Sequence, residues 1–290
     1  MKVLSFGEVL WDTYPTEKHI GGAPLNFSAH FVKAGGEAYL LSAVGADELG
    51  KAAISFLTEQ GIRTDYVSVL KGKRTGECLV TLDGRGIPRY ELLSGVAYDE
   101  IPQPELTGAD FDAFYFGSLA LRSEKNRETV SAVLASRSFK EVFVDINVRP
   151  PFISPDVIRF ACRNATVLKI SEEEMPAVTK LLFGWERDAE ESAKVIADTF
   201  ANVKLILITK GENGSVAYDC KSGRTVSCDA VRVNVASTVG AGDSFSAAFL
   251  YGYLSGKPIE DCLCSASRVS AFVCSRAEAI PPYPIGFPEQ

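Results

Sequence analysis

Ser237-Thr238-Val239-Gly240-Ala241-Gly242-Asp243 runs directly into Ser244-Phe245-Ser246-Ala247-Ala248-Phe249-Leu250-Tyr251. A β pattern at 231–235 precedes this stretch, two glycines make a turn, and an apolar helix follows. Glycines lack Cβ, so backbone amides at 240–242 can approach a ligand closely. At a helix N-terminus those amides have no intrahelical acceptor and carry the positive end of the helix dipole. The stretch therefore reads as an anion site that needs no lysine. Asp243 stands at its edge. Two roles suit it: a first-turn carboxylate, which stabilises a helix by about 1 kcal/mol, or a base that takes a proton from an attacking hydroxyl beside a phosphoryl group. A Walker A loop is absent, and the dinucleotide fingerprint would need glycine where Phe245 stands.

Outward from the turn, short apolar runs alternate with helical patterns. Strands are expected at 3–6, 39–44, 113–116, 142–146, 167–170 and 205–209. Helices are expected at 25–34, 48–60, 125–136, 155–162, 172–182 and 189–200. Continuous apolar strands alternating with helices imply an α/β fold whose central parallel sheet is covered by helices on both faces. Residues 63–93 break the rhythm, with β patterns at 66–70, 77–82 and 88–93 and turn residues at Asp83-Gly84 and Gly86. Together with 11–19 they predict a small, discontinuous β lid on a single domain spanning 1–290. A second β patch is expected at 215–218, 225–228 and 231–235.

The bulk properties set limits. The 290 residues, 46% apolar and 23% charged, are ordinary for a globular chain. A net charge of −7 without a basic run argues against nucleic acid or an anionic membrane as partner. The N-terminal apolar stretch is short and interrupted by Glu8 and Asp12, so no signal peptide is read there, and no apolar run spans a bilayer; the expected location is cytoplasmic. Seven cysteines without a C-x-x-C pair read as buried thiols. His19 and His30 are the two histidines, and His30 lies in an apolar helix as a packed side chain.

Further motifs accompany the turn. Gly21-Gly22-Ala23-Pro24-Leu25-Asn26, Val44-Gly45-Ala46-Asp47-Glu48-Leu49-Gly50, Asp145-Ile146-Asn147-Val148-Arg149-Pro150-Pro151 and Thr209-Lys210-Gly211 occur in that order. With Val239-Gly240-Ala241-Gly242-Asp243-Ser244-Phe245 they resemble the ribokinase (PfkB) family of carbohydrate kinases, in its fructokinase form, over essentially the whole chain. The resemblance implies a ribokinase-like fold with a lid over the sugar, and transfer of the ATP γ-phosphoryl group to a primary hydroxyl with Mg²⁺. It makes Asp243 the base and Gly240, Ala241 and Gly242 the anion hole. Asp12, Gly22 and Asn26 fall on the sugar side, Arg149 near the phosphates, and Thr209 and Gly211 on the nucleotide side. It also suggests a homodimer formed through the lids.

Three positions depart from the family pattern. Ser171-Glu172-Glu173-Glu174 replaces Asn-x-x-Glu; Glu174 is then either part of the Mg²⁺ network or the end of a capping box. Ser237 replaces an aspartate, and Glu278 replaces a glycine, in the region tied to a monovalent cation; this leaves the cation requirement open and offers Glu278 as a substitute carboxylate. Gly-Gly-Ala-Pro and Asp-x-Asn-x-Arg-Pro-Pro favour fructose. Kinases of 2-keto-3-deoxygluconate or ribose, and a non-catalytic sugar-binding protein of the same fold, remain alternatives.

Overall fold

The computed structural model describes residues 1–82, 88–106 and 110–287. In chain order the elements are β1 (Lys2–Phe6), β2 (Leu10–Thr13), β3 (Lys18–Gly21), α1 (Ala23–Lys33), β4 (Glu37–Gly45), α2 (Glu48–Glu59), β5 (Val67–Leu70), β6 (Gly76–Leu82) and β7 (Pro88–Leu92). Then follow β8 (Ala113–Gly117), α3 (Glu124–Ser136), β9 (Glu141–Asp145), α4 (Pro155–Asn164), β10 (Val167–Ser171), α5 (Met175–Phe183), α6 (Ala189–Thr199), β11 (Leu205–Thr209), β12 (Ser215–Asp219), β13 (Thr225–Cys228), α7 (Ala241–Leu254) and α8 (Ile259–Cys274).

Nine strands form one sheet in the order β13-β12-β11-β10-β9-β8-β1-β4-β5. Pairing is parallel from β11 to β5 and antiparallel at β11–β12 and β12–β13. Side chains alternate across it. Leu4, Phe6, Phe114, Phe116, Val144, Leu168 and Ile170 pack toward α3–α6. Val3, Tyr115, Phe143, Val167, Leu205 and Leu207 pack toward α1, α7 and α8. Burial on both faces is why these strands read as unbroken apolar runs. Successive strands are added outward in opposite directions from the β1–β8 pair, and the carboxyl ends of the strands at such a switch of order open a crevice.

A separate four-stranded sheet, β3-β2-β6-β7, holds most of the strands expected to make the lid. Its β3 leads through Gly22 straight into α1. The turn expected at Asp83, Gly84 and Gly86 lies outside the described residues.

Four expectations are corrected. Residues 67–70 belong to the large sheet, where β5 pairs with β4 in the register Ser42↔Val67; α2 returns the chain so that the next strand lies parallel to its predecessor. Residues 231–235 are not a strand. Ala236 and Ser237 donate their amides to Cys274 O, so the segment runs along the end of α8, with Val231 and Val235 44% and 63% exposed. The helix expected from 172 begins at Met175, because Glu172–Glu174 form a turn held by Ser171 and Pro176 occupies the first helical turn. The cysteines are not all thiols: Cys228 at the end of β13 is joined to Cys264 on α8 by a disulfide, with Cα atoms 5.6 Å apart.

Candidate active site

Asp243 lies in the first turn of α7 and is 8% exposed. Gly240 caps that helix at φ 79, a conformation suited to glycine. The Ser244 amide donates to Gly240 O at 2.9 Å, and the Ala241 amide reaches Thr238 O at 3.3 Å. Among the described residues, no backbone carbonyl accepts from the amides of Gly240, Gly242 or Asp243. The carboxylate is thus buried beside free donors at a helix N-terminus.

Asn26, in the first turn of α1, donates its Nδ2–H to Asp243 Oδ2 at 2.8 Å. Its Oδ1 is buried without a protein partner. Gly22 precedes α1 at φ 123, and a Cβ there would lie 2.3 Å from Glu8 O, so only glycine lets α1 start this close to the end of β1. Glu8 Oε1 accepts the Ala23 amide at 3.1 Å, and Glu8 Oε2 has no protein partner. Asp12 sits on β2 in the lid, opposite Cys78 of β6, with Gly21 alongside.

Beneath the turn lies a buried ion pair. Lys169 Nζ contacts both carboxylate oxygens of Asp145 at 2.9 Å. Ser246 Oγ lies 2.8 Å from Asp145 Oδ2 and 2.9 Å from Gly242 O. A Cβ on Gly242 would stand 3.4 Å from Lys169 Nζ, so a fixed positive charge underlies the free amides. Burial opposes that charge, but Asp145 outweighs it and raises the Lys169 pKa.

The remaining candidates line the strand ends. Thr209 closes β11, and Gly211 begins the following turn at φ 56. Glu174 is fully engaged: Oε2 accepts from the Ser171 amide at 3.0 Å and the Ser171 hydroxyl at 2.7 Å, and Oε1 accepts the Val148 amide at 2.8 Å. Ser171 and Glu174 thus make the reciprocal bonds of a capping box across the turn that precedes α5, and Glu174 also ties the Asp145–Pro151 stretch to β10. Among the described residues, no three His, Cys, Asp or Glu side chains converge as metal ligands. Arg149 is exposed, and its positive charge weakly opposes the burial that raises the pKa values of Glu8, Asp12 and Asp243. Glu278 is exposed on the loop after α8, and Ser237 Oγ accepts the Val239 amide at 3.2 Å.

Burial dominates the electrostatics. Desolvation pushes Asp243 up to about 6, with the Asn26 hydrogen bond pulling the other way. Glu8 is pushed up to about 7, again chiefly by desolvation. Asp12 is raised by burial as well. A carboxylate tuned toward neutrality is a better proton acceptor than an ordinary one.

Sequence reasoning missed Lys169 and Glu8. Each left a signal: a lysine inside the apolar run of β10, and a glutamate immediately after that of β1.

Residues 4–286 match the pfkB family of carbohydrate kinases. The probable fructokinase-5 of Arabidopsis thaliana is 27% identical, over 97% of this chain and 94% of its own length. A sugar kinase of Pyrococcus horikoshii solved with ATP superposes with a TM-score of 0.77 at 26% identity, covering 96% of this chain and 94% of that one. The fructokinase of Vibrio cholerae solved with fructose, ADP and calcium gives a TM-score of 0.82 at 22% identity, with coverage of 96% and 94%, a likeness of fold. The chain therefore belongs to the pfkB family of carbohydrate kinases, and as a member it is an ATP-dependent sugar kinase.

Proposed function

We propose that the chain phosphorylates fructose at a primary hydroxyl, with Asp243 as general base and the Gly240–Gly242 turn as anion hole. The observation that carries this reading is the buried Asp243 carboxylate, bonded to Asn26 and flanked by the Gly240 and Gly242 amides, which no backbone carbonyl takes up. Fructose is favoured because curated relatives are named fructokinases and a neighbour of the same fold was solved with fructose and ADP.

Asn26 Oδ1 accepts a hydrogen bond from a sugar hydroxyl, while Asn26 Nδ2 holds Asp243 in place. Asp12 and the Gly22 region meet the rest of the sugar from the lid side. Asp243 accepts the proton as the hydroxyl oxygen attacks the γ-phosphoryl group. The amides of Gly240, Ala241 and Gly242 stabilise charge on the equatorial oxygens, supported from below by Lys169. Thr209 and Gly211 flank the nucleotide, and Arg149 adds positive charge at the mouth. Mg²⁺ would supply charge neutralisation on the ATP phosphates, and Glu174, which orders the Asp145–Pro151 segment, is the carboxylate that would belong to its network. Lid closure over the sugar excludes water and limits ATP hydrolysis.

The test is ADP release by purified protein against fructose, ribose, 2-keto-3-deoxygluconate and adenosine. Fructose should give the highest kcat/KM. Preference for another sugar would move the substrate while leaving the kinase reading intact; no sugar-dependent ADP release at all would favour the non-catalytic alternative.

A further inference from the structure

We infer that His30 is a positioning residue for the Gly240 turn, acting through the carbonyl of Ala279. The inference rests on the reading of that turn as the phosphoryl cradle. His30 lies one helical turn after Asn26 on α1 and is 1% exposed. Its Nε2 is 2.9 Å from Ala279 O, and its Nδ1 is 2.6 Å from the Tyr283 hydroxyl. A carbonyl only accepts, so Nε2 carries the proton and Nδ1 accepts from Tyr283. Desolvation holds the His30 pKa down to about 4, and the ring stays neutral at working pH.

Ala279 is the outer wall of the turn. A Cβ on Gly240 would lie 2.7 Å from Ala279 O and 3.0 Å from Ala279 Cβ. Gly240 in turn is the cap from which α7 and its free amides begin. The segment after α8 is therefore held on one side by His30 and packs on the other against the turn. Tyr283 completes the clamp: its ring stacks on His30 at 5.7 Å and meets Phe272 edge-on. One face of α1 thus fixes both parts of the proposed machinery, Asp243 through Asn26 and the Gly240 turn through His30. A buried histidine must satisfy both ring nitrogens, and here both partners lie on this one segment, so the ring ties α1 to the wall of the turn. The turn's amides work only if they are rigidly aimed, because stabilisation of a developing charge depends on preorganised donors.

The experiment compares His30→Leu, His30→Gln and Tyr283→Phe in steady-state assays with sugar and ATP. His30→Leu should lower kcat by about 10–100-fold, the range for a group displaced by roughly an ångström. Its KM for the sugar should stay within about twofold, since the sugar side of the site is untouched. His30→Gln, whose amide can donate to Ala279 O and accept from Tyr283, should recover most of the loss. A His30→Leu enzyme with kcat within about twofold of the parent, or a His30→Gln enzyme as impaired as His30→Leu, overturns the inference. Should His30→Leu fail to fold, amide exchange at Ala241 and Gly242 in Tyr283→Phe decides: faster exchange than in the parent supports the clamp, and unchanged exchange overturns it. Gly240→Ala, assayed in parallel, separates the two readings. Full activity in Gly240→Ala sinks the phosphoryl cradle itself; loss there alongside normal turnover in His30→Leu sinks only the role of His30.

Discussion

Asn26 Nδ2 and Asp243 Oδ2 are 2.8 Å apart, although 217 positions separate the residues in the chain. The bond joins the helix that leaves the lid to the helix that carries the proposed base. It also favours the ionised form of Asp243, opposing the desolvation that raises its pKa.

Replacing Asn26 with leucine should therefore raise the Asp243 pKa further. With Asp243 as the proposed base, activity of the parent should rise with pH through about 6. In Asn26→Leu the acid limb of kcat/KM should move to higher pH, so the loss at about pH 6 exceeds the loss at about pH 8. A pH–rate profile checks this. An unshifted acid limb would mean that Asn26 does not tune the base.

Asp243 also leaves a mark on stability. Burial pushes its folded pKa up to about 6, above the ordinary aspartate value of 3.8. A carboxyl with a raised folded pKa contributes stability that is present below the unfolded pKa and is lost as pH rises through the folded one. Asp243→Asn removes that dependence. The stability of the variant relative to the parent should therefore grow by roughly 2 kcal/mol from about pH 4 to about pH 8. Urea unfolding at both pH values measures it; a constant difference would mean that Asp243 ionises normally in the fold.

Gly22 and Gly184 both have positive φ, at 123 and 79, but only Gly22 is crowded. An added Cβ at Gly22 meets Glu8 O at 2.3 Å, whereas at Gly184 nothing lies within 4 Å. Gly22→Ala should destabilise by roughly 2–5 kcal/mol, combining backbone strain with a clash. Gly184→Ala should cost about 1–2 kcal/mol, the left-handed penalty alone. Equal shifts in thermal midpoint would show that the closeness of α1 to β1 is not the reason for glycine at 22.

Ser237 offers a hydroxyl, already accepting from Val239, where the resembled family places a carboxylate, and Glu278 faces solvent. A weakened monovalent-cation site is the expected consequence. Exchanging KCl for choline chloride at constant ionic strength should change kcat by less than about twofold. Strong potassium activation would show that other groups supply the missing charge.

The fold was legible where burial was two-sided. Strands such as β8 and β11 are apolar along their whole length because helices cover both faces. The turn at Gly240 and the helix after it were legible because their signals are local. The strand at 67–70 was misassigned to the lid, since a short β pattern does not say which sheet edge it joins. Alternating valines at 231–235 suggested a strand, but pairing needs a partner, and there the chain follows the end of α8. Lys169 and Glu8 stand out only in three dimensions, where Lys169 lies beneath the first turn of α7 and Glu8 meets the start of α1. The disulfide between Cys228 and Cys264 is likewise a tertiary event, joining an edge strand to a helix.

The most direct test compares sugar-dependent ADP release by Asp243→Asn and the parent, with both substrates saturating at about pH 8, where the parent carboxylate is ionised. The account predicts that kcat falls by roughly 10²–10⁴ while the KM for the sugar barely moves, as when a positioned base is removed. Turnover within a few-fold of the parent would contradict it.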